Sequence, residues 1–458
     1  MAAKFGTSGL RGLVEDLSEA VVARHLRGFL AACPHGGAVH VGWDLRPSSP
    51  AIAEGVLRTV AEAGLEARRC GPVPTPALAL SAQAEGVAAV MVTGSHIPAD
   101  RNGLKFYSTA GEITKADEAA ILNAAHDRNG PGGGVIRDWP GVGEAYLARY
   151  LAGFGQGALV GRRIAVWSQS SVARDLLVRL LDTLGAKVVE LGRSDTFVPV
   201  DTEALPDAWR GQFSEWVAEG RLDALVSTDG DADRPLLVDE LGEVWPGDIL
   251  GAVAARALGA RRLAVPVTTN GMLEQMGSFE RVERGAVGSP HVIAAMRAMM
   301  GAAPGVAIAG FEPSGGFLLG FEAKGPAGPI PPLLTRDSVL PLVAVLSAAG
   351  NSPLSQLRAG LPQRFTAADR LQEVAPARGV ALLEALQDPD ARADFFGTPE
   401  ACCDGTDGLR RTDAHGRVVH LRPSGNAPEF RVYTEADSTR AAQALLEEML
   451  VRVADRLR

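Results

Sequence analysis

Ile164-Ala-Val-Trp167, Ser171-Val-Ala-Arg-Asp-Leu-Leu-Val-Arg-Leu-Leu-Asp-Thr-Leu-Gly185 and Lys187-Val-Val-Glu-Leu191 follow one another almost without a break. An apolar run, a stretch with leucines at helical spacing that ends on glycine, and a second β-branched run predict strand, capped amphipathic helix and strand. That is a βαβ unit, whose crossover helix must cover a parallel sheet. A similar succession runs from Ala38-Val-His-Val-Gly-Trp43 through a helix around Ala51 to Gly64, so the predicted class is α/β. Gly- and Pro-rich stretches at Asn129–Gly134 and Trp139–Gly143, the region after Gly242 and the run Ala349-Gly-Asn-Ser-Pro353 read as linkers. They divide the chain into four expected domains: 1–140, 141–243, 244–352 and 353–458.

The chain has 458 residues, 46% of them hydrophobic, enough for several separate cores. Asp and Glu number 54 against 45 Lys and Arg, a net charge of −9 that argues against nucleic acid or an anionic membrane surface as partner. An anionic small molecule would need local basic groups. Cys33, Cys70, Cys402 and Cys403 have neither zinc-site nor disulfide-framework spacing. No run approaches the roughly 18 apolar residues of a membrane span, and the start of the chain lacks a signal-peptide core, so a cytoplasmic protein is expected.

Four polar loops directly follow apolar runs. Ser95 and His96 follow Val87–Val92, and the run Ser227-Thr-Asp-Gly-Asp-Ala-Asp-Arg-Pro235 follows Ala224–Val226. Glu312-Pro-Ser-Gly-Gly316 follows Val306–Ala309, and Arg422-Pro-Ser-Gly-Asn426 follows Val418–Leu421. Ligands of open α/β sheets bind beyond the carboxyl ends of strands, so four such loops facing one cleft would form a composite site. Asp229, Asp231 and Asp233, separated only by Gly230 and Ala232, offer three hard oxygen ligands to one small cation. A calcium loop of the EF-hand type is the main competing reading, and Glu240 falls at its twelfth position. Its obligatory glycine is instead Arg234, and a strand rather than a helix precedes the run. In the last loop a guanidinium, a hydroxyl and glycine-freed amides suit a phosphate, although the same residues make an ordinary turn. Glu312 and Ser314 suit sugar hydroxyls.

Together with Phe5-Gly-Thr-Ser-Gly-Leu-Arg-Gly12 and Asn102-Gly-Leu-Lys105, these runs resemble the α-D-phosphohexomutase family, the phosphomannomutases and phosphoglucomutases, over the whole chain. The resemblance implies three similar α/β domains and a smaller, mobile α+β domain around a central cleft, with a hinge near Ala349–Pro353. It implies a phosphoserine at Ser95, which with Asp229, Asp231 and Asp233 would bind one Mg2+ per chain. It assigns Glu312 and Ser314 to sugar hydroxyls, and Arg422, Ser424, Gly425 and Asn426 to the non-reacting phosphate. The implied reaction interconverts hexose 1-phosphates and 6-phosphates through a hexose 1,6-bisphosphate, which also serves as activator. Mannose is expected first and glucose second, because contacts to O3 and O4 leave the C2 epimer unread.

Many bacterial phosphomannomutases carry His where this chain has Gly316, so acid–base duty cannot rest there. Lys105, His96 and Arg11 are the remaining candidates, Lys105 first if Arg11 beside it lowers its pKa. His96 reads more readily as a neutral brace than as a catalyst. Arg234 would steady developing charge. Phosphoglucosamine mutase is the nearest alternative, disfavoured because its sugar loop usually carries Gln where this chain has Pro313. A metal-dependent sugar phosphatase would not need the complete serine loop, and a non-catalytic sugar-phosphate sensor would not need the first two loops.

Overall fold

The computed structural model describes residues 3–6, 9–125, 130, 132–424 and 428–457. They form two compact units, Met1–Ala264 with Gly288–Arg358, and Val265–Val287 with Ala359–Arg458. The first unit carries three sheets of related design. In the first sheet the strand Ala38–Trp43 lies parallel to Glu66–Pro72 and Ala88–Val92, and Arg101–Ser108 returns antiparallel beside Ala88–Val92. In the second sheet Arg163–Trp167 lies parallel to Lys187–Leu191 and Ala224–Thr228, and Pro235–Asp239 returns antiparallel. In the third sheet Arg262–Pro266 pairs parallel with Ile308–Phe311, followed by antiparallel Phe317–Leu319 and Leu333–Asp337.

The βαβ reading holds, with local differences. The helix is Arg174–Thr183, starting after Ser171 because Ser168, Gln169 and Ser171 spend their side-chain polar groups on strands of the second sheet. Gln169 Nε2 donates to the Thr228 carbonyl at 2.9 Å, and the Ser171 and Thr228 hydroxyls pair at 2.6 Å. Such side-chain bonds compete with helix formation. The strand read from Val306 begins at Ile308. Ala88–Val92 and Ala224–Thr228 are buried along their whole length, as strands covered on both faces must be.

The loops follow from this layout. The Ser95, Asp229 and Glu312 loops each lie at the carboxyl end of a parallel strand, but each leads into an antiparallel neighbour rather than a helix. The flanking strands fix both ends of each loop, with Val92 opposite Leu104, Thr228 opposite Pro235, and Phe311 opposite Phe317.

The second unit contains an antiparallel sheet in the order Phe365–Gln372, Glu429–Ala436, Val418–Pro423, Leu409–Asp413, Glu400–Asp404. The helix Thr439–Leu457 packs on it, and Leu421, Phe430, Val432, Met449 and Val453 share its core. Arg422 belongs to the strand Val418–Pro423, not to the loop where the sequence reading put it.

The segment Ala349–Pro353, expected to be a linker and hinge, is hydrogen-bonded within the first unit. Buried Arg162 donates to the carbonyls of Gly350 and Ser352, both at 2.6 Å. Glu240 accepts from the Leu354 amide at 2.9 Å and from the Ser355 hydroxyl, capping the helix Leu354–Ala359. Glu240 therefore anchors a helix, whereas the EF-hand reading would have made it a cation ligand. Among the described residues no helix is long and apolar enough to cross a membrane.

Candidate active site

Ser95 lies 134 positions before Asp229, yet its hydroxyl donates to Asp229 Oδ2 at 2.6 Å. Reaching that position requires an unusual backbone: Ser95 has φ +54°, a left-handed conformation that costs a non-glycine residue roughly 1–3 kcal/mol. Two bonds hold it there. The Ser95 amide donates to Thr93 Oγ1 at 2.8 Å, and its carbonyl accepts from Arg46 Nη2 at 2.8 Å. Arg46 also donates to the carbonyls of Ile97, Pro98 and Arg101 and to the Asp44 carboxylate, which uses all five of its N–H groups. Gly94 leaves room for this guanidinium, since a Cβ there would lie 2.7 Å from Arg46 Cζ.

The aspartate run is ordered by its own backbone and by neighbouring strands. Asp229 Oδ1 accepts from the amides of Asp233 and Arg234, leaving Oδ2 for Ser95. Asp231 is fixed by Thr75, whose hydroxyl donates to Oδ2 at 2.6 Å and whose amide donates to the Asp231 carbonyl. The Ala232 carbonyl accepts from Ser338 Oγ at 2.7 Å. Each of the three aspartates has a carboxylate oxygen within 4.8 Å of the other two, and all three side chains are buried.

Lys105 Nζ lies 2.6 Å from Asp231 and 2.5 Å from Asp233, and Arg336 Nη2 lies 2.7 Å from Asp233. Arg234 and Arg11 add positive charge near the same run. Burial, reinforced by repulsion from Asp231 and Asp233, pushes the Asp229 carboxyl well above its ordinary range. Burial would also raise Asp233, but Arg336 and Lys105 outweigh it and hold that group low. Among the described residues Asp231 Oδ1 and Asp233 Oδ1 are buried without a hydrogen-bond partner, an arrangement that costs free energy unless a cation takes them up. The donor set is entirely oxygen and fits a small divalent ion.

The predicted acid–base groups surround this cluster. Lys105 pairs with two carboxylates. Arg11 lies on the strand Leu10–Leu13, opposite Gly103. Burial, with Arg234 and Arg336 nearby, lowers its pKa to about 10. His96 Nδ1 is 3.4 Å from Ser95 Oγ. Burial first, then Arg234 and Arg11, push the imidazole down to about 2, so it is neutral at physiological pH. Arg234 Nη1 is 3.5 Å from Asp201 and 3.6 Å from Glu203.

Glu312 and Ser314 are both buried, and the Ser314 hydroxyl has no hydrogen-bond partner among the described residues. Arg336 Nη1 lies 3.2 Å from Glu312 Oε2. In the second unit Arg422 Nε donates to Asp407 Oδ1 at 2.8 Å, and the Ser424 amide donates to the Glu429 carbonyl. Gly425 and Asn426 lie outside the described residues. Sequence reasoning missed Arg46, Thr75 and Arg336. Arg46 and Arg336 had a usable signal, a charged residue at or just beyond the end of a buried strand, as in Asp44-Leu-Arg46 and Thr335-Arg-Asp337.

Comparison with known proteins shows the family. Residues 2–129 match the family description "Phosphoglucomutase/phosphomannomutase, alpha/beta/alpha domain I", residues 145–242 match domain II, and residues 364–451 match the C-terminal domain. A phosphomannomutase of Salmonella muenchen is 40% identical, covering 99% of this chain and 96% of that protein. Another, from Sinorhizobium fredii, is 42% identical and covers 98% of both chains. The crystal structure of a phosphoglucomutase/phosphomannomutase family protein from Burkholderia thailandensis superimposes with TM-score 0.77 at 22% identity, covering 98% of this chain and 96% of that one. With this similarity along its whole length, the chain belongs to the phosphoglucomutase/phosphomannomutase family and is a phosphohexomutase.

Proposed function

We propose that this phosphohexomutase interconverts the 1-phosphates and 6-phosphates of mannose, and of glucose as a second substrate, with Ser95 as the phosphoryl carrier. The observation that carries this reading is the 2.6 Å hydrogen bond from Ser95 Oγ to Asp229. In the first half-reaction the bond between phosphorus and Ser95 Oγ breaks as one forms to the free O1 or O6 hydroxyl of the sugar. The hydroxyl proton passes to Lys105 in its neutral form, once the ammonium that pairs with Asp231 and Asp233 has given up its own proton. After the 1,6-bisphosphate reorients, its other phosphoryl group returns to Ser95 Oγ, and Lys105 gives the proton back to the sugar oxygen. Atoms and protons then balance over the cycle.

Asp229, Asp231 and Asp233, with a phosphate oxygen on Ser95, would hold Mg2+, and its bound charge would draw electron density from the phosphoryl group. Arg46 and Thr93 keep Ser95 in its strained conformation, while Arg234 and Arg11 supply positive charge near the reacting group. His96 braces the serine loop. Glu312 and Ser314 read sugar hydroxyls, and Arg422 with Ser424, Gly425 and Asn426 grips the non-reacting phosphate. The four-domain division at 140, 243 and 352 belongs to the same reading, as does a cytoplasmic location.

The test combines a coupled assay on mannose 1-phosphate and glucose 1-phosphate, activated by the matching bisphosphate, with intact mass measurement. Ser95→Ala removes the carrier but no packing group, so steady-state turnover should vanish and the added mass of a phosphoryl group should be lost. Chelation should stop the wild-type enzyme and Mg2+ should restore it. Near-normal turnover in Ser95→Ala would refute the phosphoserine.

A further inference from the structure

The third sheet reaches the aspartate loop through Arg336, a residue the mechanism above does not use. Its guanidinium forms two ion pairs, Nη2 with Asp233 Oδ2 at 2.7 Å and Nη1 with Glu312 Oε2 at 3.2 Å. All three side chains are buried. One cation therefore joins a carboxylate of the aspartate run to the carboxylate of the sugar loop.

The surrounding structure is built to hold Arg336 there. Asp337 next to it accepts from Tyr146 at 2.7 Å, from Tyr150 at 2.6 Å, and from the amides of Val339 and Leu340 at the start of the next helix. Ser338 then binds the Ala232 carbonyl of the aspartate run. Residues 336–338 thus grip the aspartate loop at two points from a strand end that cannot shift. Clearance is equally specific: a Cβ on Gly316 would lie 2.8 Å from Arg336 Cδ and 2.9 Å from Cγ. The side-chain space at position 316 is already occupied by the stem of Arg336. Only glycine at 316 is compatible with this path of the arginine.

We propose that Arg336 is a positioning residue for sugar recognition, orienting the ionised Glu312 carboxylate toward the sugar while balancing the charge of Asp233. The inference rests on the functional reading above. Because a planar guanidinium has a fixed fork, its two contacts also fix the distance between sugar loop and aspartate loop. Its effect on the two ligands has opposite sign. Glu312 needs Arg336 to be held in place, whereas a divalent cation beside Asp233 is repelled by it.

The experiment uses the full-length enzyme and compares Arg336→Met, Arg336→Lys and Gly316→Ala with wild type. KM and kcat are measured for mannose 1-phosphate, and Mg2+ binding to the sugar-free protein is measured by calorimetry. Loss of a charge-assisted bond predicts that Arg336→Met raises KM roughly tenfold or more, with a smaller fall in kcat. The same variant should bind Mg2+ roughly threefold or more tightly, because a neighbouring positive charge is gone. Arg336→Lys should keep wild-type Mg2+ affinity but recover only part of the KM. Gly316→Ala, whose Cβ would press on the arginine stem and lie 3.0 Å from the Asp233 carbonyl, should raise KM. An unchanged KM in both Arg336→Met and Gly316→Ala would overturn the proposal, as would Mg2+ and sugar affinities falling together in Arg336→Met. A wild-type enzyme that neither binds Mg2+ nor turns over either sugar phosphate would remove the functional reading, and this inference with it.

Discussion

At the scale of single residues, the groups around the aspartate run differ in their partners and in their charge. Lys105 sits between Asp231 and Asp233, so it has two candidate roles, counter-charge and proton carrier. Kinetics distinguish them. As the acid–base group, Lys105→Met should lower kcat by roughly 10² to 10⁴ with a smaller effect on KM. If only the Mg2+ requirement or KM changes, Lys105 is a counter-charge. His96 is expected to behave differently because burial and two neighbouring arginines keep its ring neutral. His96→Gln retains one hydrogen bond to the loop, so its kcat should stay within about tenfold of wild type. In the second unit, Arg422→Ala should raise KM for both the 1-phosphate and 6-phosphate substrates if Arg422 grips phosphate as proposed. Equal KM values for variant and wild type would dismiss the clamp.

At the scale of elements, the recurring device is a parallel strand that delivers a loop and an antiparallel strand that takes the chain back. Each loop is thereby held at both ends by a sheet, which gives more precise placement than a free connection would. The Ser95 loop also has an internal support, because several of its carbonyls turn toward one side chain. Arg46 supplies it, meeting the carbonyls of Ser95, Ile97, Pro98 and Arg101. Arg46→Lys preserves charge but offers at most three donors, so buried carbonyls lose their partners. The expected result is a stability loss of about 2–4 kcal/mol in denaturant unfolding, accompanied by a fall in kcat of at least roughly tenfold. Wild-type stability and turnover in Arg46→Lys would show that the loop holds its shape without this support.

At the scale of the whole molecule, the segment after the third sheet is fixed where a flexible connection was expected. Arg162→Met deletes two bonds to the carbonyls of Gly350 and Ser352, so amides of residues 350–355 should exchange faster with solvent. Unfolding free energy should also drop by about 1–3 kcal/mol, and unchanged exchange would mean that Glu240 alone secures the segment. This anchoring was not legible in the sequence, where Ala349-Gly-Asn-Ser-Pro353 has the composition of a loop and its partners lie more than a hundred residues upstream. The α/β class, the βαβ crossover and the loops carrying Ser95, the aspartates and Glu312 were legible, because periodicity, capping glycine and alternating carboxylates are local patterns. The start of the helix at Arg174 was not, since the bonds that stop it earlier go to Thr228. By itself, the sequence determined which side chains were available for the chemistry: a serine, three aspartates, a lysine and a sugar-loop glutamate. Only the tertiary structure decided which of them meet. It brought Ser95 to Asp229, Lys105 to Asp231 and Asp233, and Arg336 to both Asp233 and Glu312. Ion pairing and strain are properties of distance between atoms, and distances across 24 to 134 positions of chain exist only after the sheets have formed.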